Sequence, residues 1–143
     1  MREILFRGKH TRTGEWVEGL LWKNKYHSDK FFISCFPDKD DNEEAFIVFP
    51  ETVGQYTGLT DKNGKKIFEG DVIHREYTLI HGERKTTREE QIGVVVFKKG
   101  EFRANVVKGK GTWFGIGVVW KGDYIEVIGN IHDNPELLKG GKE

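Results

Sequence analysis

The chain has 143 residues, 36% hydrophobic and 13% aromatic, enough to build a core without disulfide or metal support. Lys plus Arg and Asp plus Glu number 23 each, and this zero net charge argues against a dedicated nucleic-acid binder, which is usually strongly basic. One cysteine, Cys35 in the apolar run FFISCF, excludes an intramolecular disulfide and reads as a small buried hydrophobe rather than a reactive thiol.

The first ten residues lack an apolar run of signal-peptide length, and no later run is long enough to span a bilayer, so a soluble cytoplasmic chain is expected. Apolar residues recur in short, often alternating runs, the period of strands. Ile4 and Phe6 share one face of a first strand; residues 13–15 turn, and 15–22 return. Residues 23–30 are polar and read as a loop. Strands follow at 31–36, ended by Pro37, and at 45–49, stopped by Pro50, with an acidic loop at 38–44 between them. Residues 53–59 read as extended.

Asn63-Gly64 is a hairpin signal, because a type I′ turn needs φ > 0 at both central residues. Residues 65–68 return, Gly70-Asp71 turns again, and 72–80 form a long strand. Residues 81–91 (HGERKTTREEQ) read as an exposed, mobile hairpin tip, and 92–97 are the most β-prone run. After a turn at Lys99-Gly100, residues 101–107 alternate, with Phe102, Ala104 and Val106 on one face. A Gly/Lys loop at 108–111 precedes a strand at 112–120, where Gly115 and Gly117 predict a bulge or a close backbone approach. A turn at 121–123 leads to the last strand, 124–129. Asn134-Pro135-Glu136 has the letters of a short helix start, with Asn134 as cap.

The predicted fold is all-β: short antiparallel strands in two packed β-units, an SH3-like barrel in the second half, and a short C-terminal helical turn. One domain, 1–143, is expected, with a soft seam near 50–59.

Three blocks carry a family resemblance. They are REILFR at 2–7, QYTGL, DKNG and IFEGDVI between 55 and 73, and VIGNI with NPELL between 127 and 138. In order and spacing they resemble the YopX family, proteins encoded by bacteriophages and prophages. Gly8-Lys9 stand where family members often carry a Trp, and 26–44 and 78–91 match no family pattern. The resemblance implies an all-β fold, a phage or prophage setting in the bacterial host cytoplasm, and room for a homo-oligomer. It brings no enzymatic activity, cofactor or catalytic residue.

The letters that could carry chemistry have plainer readings. Glu69 and Asp71 flank a turn, where Asp satisfies backbone N–H groups. Asp38, Asp40 and Asn42 alternate as in a calcium loop, but the sixth and twelfth positions are Glu43 and Phe49 instead of Gly and Glu. His10, His27, His74, His81 and His132 are scattered, with no zinc spacing, so no metal site is expected. The chain is expected not to be an enzyme. Local charge is uneven: Asp38, Asp40, Asp41, Glu43, Glu44 and Glu51 face only Lys39, and Lys98, Lys99, Arg103, Lys108, Lys110 and Lys121 face only Glu101. Apart from Glu51 and the two opposing charges, these are the expected partner-binding residues, together with Trp113 and Trp120. A protein partner, a second copy included, is the first reading. Nucleic acid on the basic loops is the second, with Trp113, Phe114 or Trp120 stacking on bases. Lys-rich tips that merely keep strand edges soluble are the bland alternative.

Overall fold

The computed structural model describes residues 3–35, 44–83, 85–117 and 124–139. The fold is all-β, with two antiparallel sheets. The chain divides into two compact units, 1–58 and 59–143.

In the first unit β1 (Phe6–Lys9), β2 (Trp16–Asn24), β3 (His27–Cys35) and β4 (Glu44–Val48) run as a meander, and a 3₁₀ turn at Pro50–Thr52 leads into β5 (Gly54–Thr60). The hydrogen-bonded order is β4-β3-β2-β1-β5. His10 also bridges to Val48, and Val48 lies against the backbone of Gly8. Among the described residues Ile33 and Val48 are its most deeply buried apolar side chains. The strand expected from Ile4 starts later, at Phe6, and Ile4 is exposed. The loop expected at 23–30 shrinks to residues 25 and 26: β2 runs to Asn24 and β3 begins at His27, and after a register shift Asn24 pairs with His27. Cys35 is half-buried rather than buried. Desolvation, then the Glu44 carboxylate, push its thiol pKa up, which makes it a poor nucleophile.

The division falls inside β5, whose far end leads through a hairpin to β6 (Lys66–Phe68). That turn is not type I′. Gly64 has φ 81°, whereas Asn63 does not lie at positive φ. Asp61 redirects the loop: its Oδ1 accepts the N–H groups of Asn63 and Lys65, both at 2.9 Å. A two-residue hairpin with positive φ at both positions stands instead at Lys99-Gly100 (52° and 79°), closing Lys98 onto Glu101.

The second sheet contains β7 (Asp71–His81), β8 (Lys85–Lys98), β9 (Glu101–Lys108), β10 (Trp113–Gly115) and β11 (Tyr124–Asn130), in the order β10-β9-β8-β7-β11. Its edge strands do not pair with each other among the described residues, so the SH3-like closure is not seen and the sheet is open. Gly70, at φ 92°, turns the chain into β7. The buried Asp71 accepts the N–H of Phe68 at 2.7 Å. The register shifts between Trp113 and Gly115, the expected bulge. The core of this unit is Ile67, Ile73, Val95, Ala104, Trp113, Ile116 and Ile125, flanked by Phe102 and Val106 as the alternation predicts.

Residues 85–91 are strand, paired with 75–81, and not a loose tip. The ribbon is polar because most of it covers no core, and cross-strand side-chain pairs tie it instead. Arg88 reaches Glu76 and Thr78, and His81 reaches Thr87. The C-terminal turn is a 3₁₀ segment, Pro135–Leu138. Asn134 does not cap it; its Oδ1 accepts the N–H of Asn130 at 3.2 Å. Among the described residues no helix is long and apolar enough to cross a membrane.

Candidate functional site

The residues expected to bind a partner fall into three groups. Asp38, Asp40, Asp41, Glu43, Trp120 and Lys121, with the side chain of Phe114, lie outside the described residues. Glu44 opens β4 and is exposed. Lys98, Lys99, Lys108 and Lys110 are exposed on hairpin ends of the second unit. The Arg103 guanidinium Nε donates to the Glu101 carboxylate, which neutralises part of that basic surface.

Trp113 is a correction. Pairing with Ala104 of β9 turns it into the core, where it is 3% exposed. The Arg75 guanidinium covers one ring face at 4.3 Å. A base has no open face on which to stack, so the nucleic-acid reading loses one of its aromatic platforms. Arg75 is itself fixed, because its Nε donates to the buried Gln91, whose amide donates to the carbonyl of Lys110 at 2.6 Å. The 108–111 loop is therefore held at its base.

A cleft of about 390 Å³ is lined among others by Leu59, Asp61, Lys62, Ile67, Ile116 and Tyr124. Its one carboxylate among the described residues is occupied. Asp61 is 7% exposed, and its Oδ2 accepts the N–H of Val127 at 3.0 Å besides the two bonds in the turn. Burial alone would raise its pKa; the N–H groups of Val127, Lys65 and Asn63 outweigh that and hold it below the ordinary value. Such a carboxylate stays ionised as a structural acceptor.

The surface that sequence reading missed is on the first unit. Leu20 and Trp22 of β2 point to the same side as Phe32 of β3 and Ile47 of β4, through the pairs Trp22↔Phe32 and Phe32↔Ile47. Leu20 is 53% exposed and Trp22 37%. The Trp22 and Phe32 rings stack at 4.3 Å, and the indole Nε1 donates to Ser34 Oγ at 2.8 Å. Tyr26, at the tip of the same hairpin, is 77% exposed. The signal was present in the sequence: LLW at 20–22 places apolar residues on both faces of one strand, and only one face can enter a core.

The family model described as YopX protein matches residues 5–139, and the chain belongs to the YopX family. Among solved structures it is similar to protein EF1440 from Enterococcus faecalis, at 25% identity, 97% coverage of this chain, 100% of that chain, and a TM-score of 0.49. No curated protein matches it.

Proposed function

We propose that this chain is a non-enzymatic accessory protein of a phage or prophage that binds another protein, a second copy included, through the β2–β3–β4 face. One observation carries the proposal: the row of exposed Leu20 and Trp22 beside half-buried Phe32 and Ile47, with Trp22 already pinned by a stack and a hydrogen bond. Trp and Tyr dominate the energetics of protein interfaces. A side chain held before docking loses little rotamer entropy on docking, about 0.5–1.5 kcal/mol less than a free one. Glu18, on the same face of β2, is exposed and supplies a polar edge. The non-enzymatic reading is supported by Asp61 and Asp71, whose carboxylates accept backbone N–H groups rather than facing a substrate. The phage or prophage setting is supported by family membership.

Nucleic acid is the second reading. The exposed Lys98, Lys99, Lys108 and Lys110 favour it, and the burial of Trp113 weighs against it. Capture on immobilised protein from a lysogenic host lysate, with and without nuclease, separates the two. A protein recovered in near-equal molar amount after nuclease treatment supports the proposal. Recovery that vanishes with nuclease transfers the function to nucleic acid.

A further inference from the structure

Strand pairing assembles one group of metal-ligating side chains in the second unit. In the β7–β8 register Glu76 stands directly opposite Glu90, and His74 stands opposite Ile92. His74 and Glu90 are therefore diagonal neighbours on one face of the sheet. The His74 Nε2 lies 3.1 Å from Oε2 of Glu90. One ligand atom from each of His74, Glu76 and Glu90 lies within 4.8 Å of the other two. His74 is half-buried, and both glutamates are exposed.

The glutamate pair needs a reason. Like charges directly opposite on a ladder destabilise it. Arg88 approaches Glu76 at 3.6 Å, and Lys108 of β9 acts on Glu90. From β11, Glu126 stands opposite His74 and Tyr124 opposite Glu76, and Glu126 is engaged by Lys62 at 3.3 Å.

The geometry points to a divalent transition-metal site formed by His74, Glu76 and Glu90, best matched by Zn²⁺, with the remaining coordination position open to water. Tetrahedral zinc with bonds of about 2.0–2.2 Å sets its ligand atoms about 3.4 Å apart. The His74–Glu90 pair is already near that spacing at 3.1 Å. The third ligand closes by a shift of about 1–1.5 Å, which rotation of an exposed glutamate side chain supplies. The ion sits between imidazole and carboxylate, and it cancels the repulsion between the opposed glutamates. An imidazole ligand selects borderline ions such as Zn²⁺ over Mg²⁺ and Ca²⁺, which take oxygen donors. Bound metal ties β7 to β8 where the core ends and the polar ribbon begins.

The test is calorimetric titration of the full chain with zinc chloride at neutral pH, with magnesium chloride in parallel. The expected result is one Zn²⁺ per chain, no Mg²⁺ binding, and affinity reduced about tenfold or more in His74→Ala and in Glu90→Gln. Zinc also raises the melting temperature of the wild-type chain and not that of His74→Ala. Glu90 is exposed, so Glu90→Gln keeps the test valid if His74→Ala folds poorly. Absence of Zn²⁺ binding overturns the assignment. So does binding unchanged in both variants, which moves the ion to the other histidines.

Discussion

Replacing Asp61 tests how the family's central block holds the second unit. Its carboxylate accepts three backbone N–H groups, from Asn63 and Lys65 in the turn and from Val127 on β11. Asn63 and Lys65 are exposed, so in Asp61→Ala their N–H groups recover water and each lost bond costs about 1 kcal/mol. Val127 is half-buried, and its unpaired N–H costs about 1–3 kcal/mol. The expected loss is about 3–5 kcal/mol, read as ΔΔG from urea unfolding. Asp61→Asn keeps one carbonyl oxygen for the turn but cannot also accept from Val127, so about 1–3 kcal/mol is lost. The pH dependence has a definite sign. The folded pKa of Asp61 lies below its ordinary value of 3.8, so its contribution is complete above that pH and is lost as pH falls through the lower, folded value. The gap between wild type and Asp61→Asn therefore narrows only in strong acid. A cost below about 0.5 kcal/mol for Asp61→Ala, within the range of ordinary surface changes, would refute the reasoning.

Three further outcomes are expected. Lys99→Asn, at φ 52° in a two-residue hairpin, stabilises the chain by about 0.5–1 kcal/mol, because Asn tolerates that backbone region better; calorimetric melting checks it. Trp113→Ala costs about 3–5 kcal/mol in chemical unfolding, the amount for removing a large aromatic from a core. A mobility-shift assay with single- and double-stranded probes at low salt and micromolar protein shows no shift; binding with a log K against log[salt] slope of about −3.6 would mean four phosphates neutralised on a duplex and would favour the second reading.

The strands were legible where one face packs on a core, as in 101–107, because period-2 alternation records that packing. The ribbons were not. Residues 27–30 and 85–91 are strand but bury little, so their letters carry no apolar rhythm and read as loop. The His74, Glu76 and Glu90 group was hidden for a related reason: its members stand together only through the register of β7 on β8, which scattered histidines do not reveal. Side-chain hydrogen bonding displaced two local readings. Asp61 drew the Asn63-Gly64 turn away from type I′, and Asn134 spent its carbonyl on Asn130 instead of a helix cap. Trp113 looked like a surface residue because lysines and glycines precede it; its pairing with Ala104 decides otherwise.

The central claim is that the β2–β3–β4 face binds a protein. Parallel capture with wild type and Leu20→Glu from nuclease-treated host lysate tests it most directly, with sedimentation velocity of each protein alone covering the case of a second copy. Leu20 is exposed, so the substitution leaves the circular-dichroism spectrum and melting temperature unchanged. The account predicts a bound protein, or a concentration-dependent dimer, with wild type, and its loss with Leu20→Glu. A partner retained equally by both proteins would place the binding surface elsewhere and contradict the account.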